Sequence, residues 1–359
     1  METDMTKLGR FLSERYGVRI RKGQERMQKG IFLGDRRQMD YVYPSDVRAA
    51  LMKTCGLEET VYTKEEVLGD PARFSDTAYL FSTWGMPVFT EEEIRRCFPN
   101  LRAVFYAAGT VQAFARPFLA CGVQVFSAWA ANAVPVAEYT VAQIVLANKG
   151  FFQNQRDYKA GDRARAEAHF HGHTGNYRVR VGLIGAGMIG SMVAERLQAY
   201  SAEVLVFDPF LSEERAERLH VRRVTLEELF SQCDVVSNHL ANNAQTKNMI
   251  TYALLSQLPP YATFINTGRG AQVDEGGLAR FLSERLDCTA VLDVTVQEPL
   301  PQDSPLRRCE NCFITTHIAG SAGREVWRMA AYMLEELERF EAGMETRYGV
   351  TEKMLETMA

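Results

Sequence analysis

The stretch Val181–Pro209 constrains the fold of this chain more than any other part of its sequence. Its apolar pattern predicts a buried strand at Val181–Ile184, a helix at Ser191–Tyr200 and a second strand at Val204–Phe207. The glycine-rich sequence GAGMIG occupies residues 185–190, between the first strand and the helix. A strand, a glycine-rich turn, a helix and a second strand form, in this order, a dinucleotide-binding βαβ unit.

Each glycine of this motif has a physical role. Gly185 allows a tight turn, Gly187 lets the backbone approach a pyrophosphate, and Gly190 lets the helix pack closely on the sheet. The helix N-terminus presents free N–H groups to the anion. Asp208, at the end of the second strand, can accept hydrogen bonds from an adenosine ribose diol. A 2′-phosphate ~4 Å from this carboxylate would cost on the order of 4 kcal/mol at an effective dielectric near 20, so NAD is favoured over NADP.

Composition excludes several classes of partner. The 359 residues suggest about two domains. With 41 basic and 45 acidic residues the net charge is −4, which argues against nucleic acid or an anionic membrane as the partner. The charged N-terminus does not resemble a signal peptide, and no apolar run approaches the ~18 residues of a membrane span. We therefore expect a soluble, cytoplasmic protein whose seven unpatterned cysteines are reduced and buried.

The order of elements predicts two α/β domains, each with a doubly wound parallel sheet. Residues 1–30 are predicted to form an N-terminal arm. Strands and helices alternate over residues 31–150, and an amphipathic helix at about Ser321–Glu341 returns to this first domain, which residues 321–359 complete. Residues 151–320 form the second domain. A ligand would lie in the cleft between the domains, at the carboxyl ends of the strands.

Local signals predict the individual elements. Strands are expected at Ile31–Leu33, Tyr79–Ser82, Ala103–Tyr106, Val123–Phe126, Val235–Leu240, Thr263–Asn266, Thr289–Val294 and Phe313–Thr315. Helix caps are expected at Ser45, at Thr90 with Glu93, and at Thr225 with Glu228. Pro135 is expected to begin a long helix that continues to about Asp157. The polar segment Lys159–Arg180, which carries three glycines, is expected to be a crossover into the second domain.

Three strand ends of the second domain carry side chains suited to one reaction. Arg269 offers a bidentate fork for a carboxylate. His317 can donate a proton to a developing alkoxide or remove it in reverse, a role typically worth ~10²–10⁴ in rate. Glu298 can hold the imidazole in one tautomer. Together these groups suit the interconversion of a 2-oxo acid and a 2-hydroxy acid.

The chain resembles the D-isomer-specific 2-hydroxyacid dehydrogenases over most of residues 31–340. The resemblance rests on the sequences VGLIGAGMIG, INTGRGAQVDEGGLA, LDVTVQEPLP, THIAGS and NAVPVAEYTVA, in the order and spacing of the family. It implies an NAD-dependent D-2-hydroxyacid dehydrogenase with a Rossmann NAD-binding domain and a flavodoxin-like substrate domain. It also implies a small 2-oxo or 2-hydroxy acid substrate and a homodimer built through the cofactor domain.

The resemblance also implies roles for individual residues. Arg269 corresponds to the substrate-orienting arginine, Glu298 to the histidine partner and His317 to the acid/base. The implied cofactor-binding residues are Gly185, Gly187, Met188, Ile189, Gly190, Asp208, Leu240, Thr267, Gly268, Arg269, Asp293, His317 and Gly320. The implied substrate-binding residues are Ser82, Trp84, Ala108, Gly109 and Arg269. Because Trp84 lies in the loop where phosphoglycerate-oxidising relatives have an arginine, a phosphorylated substrate is disfavoured.

Two other functions remain open. One is an NADPH-linked glyoxylate or hydroxypyruvate reductase, against which Asp208 argues. The other is a non-catalytic NAD-sensing protein on the same fold, which the sequence does not separate from an enzyme. No metal site is expected, because Cys309 and Cys312 lack a second ligand pair and His169-x-His171-x-His173 lies in a polar segment that we expect to be a surface loop. The sequence does not name the 2-oxo acid.

Overall fold

The computed structural model describes residues 28–356, so most of the predicted N-terminal arm lies outside the described residues. The strands are β1 (Lys29–Leu33), β2 (Glu58–Tyr62), β3 (Thr77–Ser82), β4 (Ala103–Tyr106), β5 (Gln124–Ser127), β6 (Tyr177–Ile184), β7 (Ser201–Phe207), β8 (Arg222–Arg223), β9 (Val235–Asn238), β10 (Thr263–Asn266), β11 (Thr289–Leu292), β12 (Cys312–Ile314) and β13 (Gly349–Val350). They form two sheets, with strand orders β2-β1-β3-β4-β5-β13 and β8-β7-β6-β9-β10-β11-β12.

Helices cover both faces of each sheet. They are α1 (Arg36–Val42), α2 (Ser45–Cys55), α3 (Lys64–Gly69), α4 (Glu91–Cys97), α5 (Ala115–Ala120), α6 (Trp129–Ala147), α7 (Phe151–Lys159), α8 (Arg163–Gly172), α9 (Met188–Leu197), α10 (Glu213–Arg218), α11 (Leu226–Gln232), α12 (Tyr252–Leu255), α13 (Glu275–Glu284) and α14 (Val326–Glu341). Each sheet therefore has two apolar cores, one on either face.

The two topologies confirm the predicted fold class. The first sheet has the flavodoxin-like order 2-1-3-4-5, with β13 added antiparallel to β5 at its edge. The second sheet has the Rossmann order 3-2-1-4-5-6, with β12 as a seventh strand. Strand β3 is buried along its whole length, as expected where helices cover both faces of a parallel sheet. The exact residues at which the domains divide stay a prediction.

The long helix between the two sheets differs from the prediction. Helix α6 begins at Trp129, so Pro135 lies inside it rather than at its start. The small residues Ala130, Ala131 and Ala133 are buried, and this packing extends the helix past the local proline signal. The helix also ends earlier than predicted, because Gly150 adopts a left-handed φ of 64° before α7 begins.

The same helix also departs from the expectation that no apolar run is long enough for a membrane span. Among the described residues, α6 has sufficient length and hydropathy to cross a bilayer. More than half of its most apolar window is buried inside the protein, however. The core helix of a globular protein has the same pattern, so this is weak evidence for a span.

The surface loop predicted around residues 169–173 is wrong, because Arg163–Gly172 form α8. Asp162 caps this helix by accepting a hydrogen bond from the Arg165 N–H. On the helix His169 is buried, and its Nε2 lies 3.0 Å from Asp157 Oδ2, whereas His171 is exposed. The three imidazoles therefore do not share a face. Within residues 28–356 no group of three His, Cys, Asp or Glu side chains is placed to hold a metal.

The remaining local predictions are mostly confirmed. The capping boxes at Thr90 and Thr225 are present. Ser45 is instead the first residue of α2, after Pro44, and makes no cap hydrogen bond. Helix α14 packs on α1, α2 and α6 of the first domain as expected, but it begins at Val326 because a 3₁₀ turn, Gly323–Glu325, precedes it. All seven cysteines are free; four are buried and three are partly buried.

Candidate active site

The glycine-rich turn between β6 and α9 has the predicted form. Gly185 has a φ of 92°, and a Cβ on Gly190 would lie 2.0 Å from the Gly185 carbonyl oxygen. The start of α9 therefore packs directly on the turn, a contact that no other residue type permits. Met188 and Ile189 are in the first turn of α9, where main-chain N–H groups have no partner within the helix and are free for an anion.

Two charged side chains flank this turn. Asp208 accepts hydrogen bonds from the main-chain N–H groups of Ala186 (2.7 Å) and Phe210 (2.8 Å), which fix its carboxylate beside the turn. Arg215 of α10, which the sequence analysis did not identify, donates to the Ala186 carbonyl (2.6 Å) and to Ser191 Oγ (2.8 Å). No sequence motif marks Arg215, because its contact depends on how α10 packs.

The predicted histidine and its carboxylate partner form a pair. His317 Nδ1 lies 2.9 Å from Glu298 Oε2, and Glu298 Oε1 accepts a hydrogen bond from the Thr295 N–H at 3.2 Å. The side chains of His317 and Glu298 are 47% and 41% exposed. The pair is thus open to a ligand, and the bond at Nδ1 leaves Nε2 for proton transfer.

Asp293 holds the loop that carries His317. Its Oδ1 accepts from Thr315 Oγ1 (2.6 Å) and the Ile318 N–H (2.8 Å), and its Oδ2 accepts from the Ala319 N–H (2.9 Å). The carboxylate is 2% exposed. His317 has a φ of 62°, in the left-handed region that non-glycine residues rarely adopt, so these bonds hold a strained conformation. The family resemblance implied a cofactor-binding role for Asp293, and its contact with the histidine loop was not predicted.

Arg269 follows β10 and is partly buried. Its Nη1 donates to the Gly268 carbonyl at 2.8 Å, and within the described residues it forms no ion pair. Strands β10, β11 and β12 are consecutive neighbours in the sheet, so the loops carrying Arg269, Glu298 and His317 leave the same edge. A carboxylate ligand would be the first acidic partner of this guanidinium.

The other predicted cofactor residues lie along the same edge. Leu240 follows β9, and Thr267 and Gly268 follow β10. Thr267 is 6% exposed, and its Oγ1 lies 3.1 Å from Thr140 Oγ1 on α6. Gly320, after β12, packs against Asn132 of α6, whose Oδ1 accepts from the Ser321 N–H at 3.0 Å. Since α6 directly follows β5, this helix links the loops of the second sheet to the first.

The predicted substrate residues lie at the carboxyl edge of the first sheet. Ser82 ends β3 and is fully buried: its hydroxyl donates to the Leu33 carbonyl at 2.6 Å, and its carbonyl accepts from the Ala107 N–H (2.8 Å) and the Tyr43 hydroxyl (3.2 Å), so both groups already have partners within the protein. Trp84 is 36% exposed. Ala108 and Gly109 follow β4, and the buried Ser127 hydroxyl bonds to both of their carbonyls (2.9 and 2.5 Å). The loop is thereby held in place, and a side chain on Gly109 would meet no atom within 4 Å.

Comparisons with known proteins show which proteins this chain is similar to. Residues 141–319 match the model of the "D-isomer specific 2-hydroxyacid dehydrogenase, NAD binding domain". The (S)-sulfolactate dehydrogenase of Chromohalobacter salexigens is 31% identical over 251 residues, which cover 69% of this chain and 80% of that protein. The D-3-phosphoglycerate dehydrogenase of Archaeoglobus fulgidus is 29% identical over 232 residues, which cover 64% of this chain but only 43% of that protein.

A solved structure shares the whole fold. The phosphoglycerate oxidoreductase from Rhizobium etli has a TM-score of 0.75 and 22% sequence identity, and the match covers 89% of this chain and 97% of that one. At this identity the likeness concerns the fold alone.

Proposed function

The chain belongs to the D-isomer-specific 2-hydroxyacid dehydrogenase family, and we propose that it is an NAD-dependent enzyme interconverting a 2-oxo acid and its D-2-hydroxy acid. The observation that carries this proposal is the His317–Glu298 pair at 2.9 Å, on the sheet edge that also carries Arg269. Such a pair is suited to moving a proton at a substrate oxygen.

The residues of the second domain fit NAD. Gly187, which precedes α9, has open space where a side chain would project, so a pyrophosphate could approach the N–H groups at the start of this helix. Asp208 would accept from the adenosine ribose, since each of its oxygens has one protein donor and a further lone pair. Leu240, Thr267, Gly268, Asp293 and Gly320 would line the remaining track. When bound as NADH, the cofactor supplies the hydride.

Three side chains would act on the substrate. Arg269 would bind the substrate carboxylate bidentately and polarise the adjacent carbonyl. His317 Nε2 would donate a proton to the carbonyl oxygen during reduction and remove it during oxidation. Glu298 would keep the imidazole oriented through its bond to Nδ1. The main-chain N–H groups near Gly109 would bind the other side of the carboxylate.

We propose an unphosphorylated substrate. In the substrate domain, which we place at residues 31–150 with 321–359, Trp84 presents a partly exposed aromatic surface at the end of β3. An indole offers no charge to a phosphate, whereas it packs well on an apolar or hydroxylated side chain. The alternative of a phosphorylated substrate would need a cation in this loop.

We also propose a cytoplasmic homodimer. Four exposed aromatic side chains lie on α7, α8 and the start of β6, namely Phe151, Tyr158, Phe170 and Tyr177, with exposures of 45–67%. Exposed aromatic surface of this kind is typical of a protein interface. The free state of all seven cysteines supports a reducing compartment.

The test is NADH oxidation by the purified chain with glyoxylate, hydroxypyruvate, pyruvate and bulkier 2-oxo acids, with NADPH in parallel. We expect turnover with NADH and at least one acid, and much weaker turnover with NADPH. Tight NADH binding without turnover on any acid would contradict the proposal and favour a non-catalytic NAD sensor. A preference for NADPH would contradict the role given to Asp208.

A further inference from the structure

Three buried carboxamides join the ends of β9 and β10. Asn238, Asn266 and Gln272 are 0%, 1% and 0% exposed. Asn238 Nδ2 donates to Gln272 Oε1 at 2.6 Å and to Asn266 Oδ1 at 3.0 Å. We call these three residues the amide cluster. Neither Asn238 nor Gln272 was assigned a role from the sequence, although Gln272 lies within the motif INTGRGAQVDEGGLA, because their contacts depend on packing between distant segments.

Gln272 contacts two functional loops at once. Its Nε2 donates to the main-chain carbonyls of Leu240 (2.8 Å) and Ala241 (3.0 Å), after β9. Its Oε1 accepts from the main-chain N–H of Arg269 (3.2 Å) as well as from Asn238. A carboxamide has two donor hydrogens and about two acceptor sites, so the hydrogen-bonding capacity of Gln272 is fully used.

Asn266 holds the other side of the arginine. Its Nδ2 donates to the Arg269 carbonyl (3.1 Å), and its Oδ1 accepts from the Gly268 N–H (3.1 Å). The backbone of Arg269 is therefore fixed at both its N–H and its carbonyl by buried side chains. A buried network that is fully satisfied is rigid, whereas a partly satisfied one is strongly destabilised.

We propose that the amide cluster couples cofactor binding to substrate binding, with Gln272 as the shared support of the Leu240 loop and of Arg269. The inference rests on the proposed function, in which the first loop lines the cofactor and Arg269 binds the substrate carboxylate. Gln272 is a positioning residue, since it acts on both ligands only through these two segments. Moving either segment shifts the other, because one planar side chain joins them.

The test compares NADH affinity, measured by fluorescence, with KM and kcat for the 2-oxo acid that is turned over. Gln272→Met removes all four bonds at similar volume, and we expect the NADH Kd and the KM each to rise about tenfold, as for lost buried hydrogen bonds. Gln272→Glu keeps an oxygen that accepts from the Arg269 N–H. Its second carboxylate oxygen replaces the NH₂ group and would repel the carbonyl oxygens of Leu240 and Ala241. In that variant we expect the NADH Kd to rise more than the KM.

Two further variants separate coupling from general stability. Asn266→Asp places a carboxylate oxygen against the Arg269 carbonyl alone, so the KM should rise about tenfold, and the NADH Kd, which changes only through Gln272, should rise by a smaller factor. Asn311→Asp is the matched control: this residue is 1% exposed and donates to the Leu282, Arg285 and Cys288 carbonyls at the opposite end of the sheet. It should lower stability and leave both constants unchanged.

The coupling is overturned if the folded Gln272→Met or Gln272→Glu protein changes only one of the NADH Kd and the KM, or neither of them. It is also overturned if Asn311→Asp changes the NADH Kd and the KM equally. Failure of the proposed function is a different result, namely no turnover by the unmodified chain. In that case an unchanged NADH Kd in Gln272→Glu would still refute the support of the cofactor loop.

Discussion

Replacing Asp293 with asparagine should slow catalysis without removing any group that contacts the substrate in our proposal. The carboxylate accepts three hydrogen bonds from the loop Thr315–Ala319 at 2.6–2.9 Å. Asparagine keeps one oxygen, and its NH₂ group must face at least one N–H or hydroxyl donor. At least one charge-assisted bond is lost, worth roughly 1.5–3 kcal/mol.

The bond that is lost in this variant holds the loop of His317 in a strained conformation. The left-handed φ of His317 itself costs on the order of 1–3 kcal/mol, so the loop has reason to relax once a bond is lost. Since 1.4 kcal/mol corresponds to about tenfold in an equilibrium constant, the population with His317 correctly placed should fall about 10- to 100-fold. We expect kcat to fall by the same factor at saturating NADH and 2-oxo acid.

A matched control is Asp274→Asn. Asp274 caps α13 by accepting from the Gly277 N–H at 3.0 Å and holds no part of the histidine loop. This variant should lose some stability and keep its kcat. A folded Asp293→Asn protein with a kcat within twofold of the unmodified chain would refute the role given to Asp293.

Three other predictions follow from the same geometry. Gly190→Ala should weaken NADH binding at least tenfold in a fluorescence titration, because the new methyl group would overlap the Gly185 carbonyl; unchanged affinity would contradict the close contact. Asp208→Ser should narrow the preference for NADH over NADPH by about tenfold or more in parallel kinetics, because the repulsion of a 2′-phosphate is removed. Burial lowers the pKa of His239 to about 4 from an ordinary 6.5, so its neutral state adds stability above pH 6.5 that is lost as pH falls toward 4. Urea unfolding at pH 7 and pH 5 should show this loss, up to about 1.4 kcal/mol per pH unit from this residue, and His239→Gln should reduce it; an equal slope in both proteins would contradict the assignment.

The sequence was sufficient for the parts of the site that local patterns determine. Arg269, Glu298 and His317 each follow a strand of the same sheet, and once the strands are found the edge they share follows from topology. The strands β4 and β10 have the predicted bounds, because both have apolar residues at their centres and are buried along their whole length.

Features that depend on packing between distant segments could not be predicted. Strand β2 has a largely polar sequence at a sheet edge and β13 has two residues, so neither gives a clear periodicity. The start of α6 was missed because buried alanines outweigh the signal of Pro135. The contacts of Arg215 and Gln272 need the orientation of a side chain toward a loop far along the chain, which no spacing encodes.

The most direct test of the proposed mechanism is the effect of His317→Ala on the reduction of a 2-oxo acid with NADH. The measurement combines kcat, the NADH Kd and the configuration of the product. We predict a D-2-hydroxy acid from the unmodified chain, a fall in kcat of about 10²-fold or more in the variant, and a nearly unchanged NADH Kd. An unaltered rate would remove His317 from the mechanism, and an L-configured product would contradict the proposed stereochemistry.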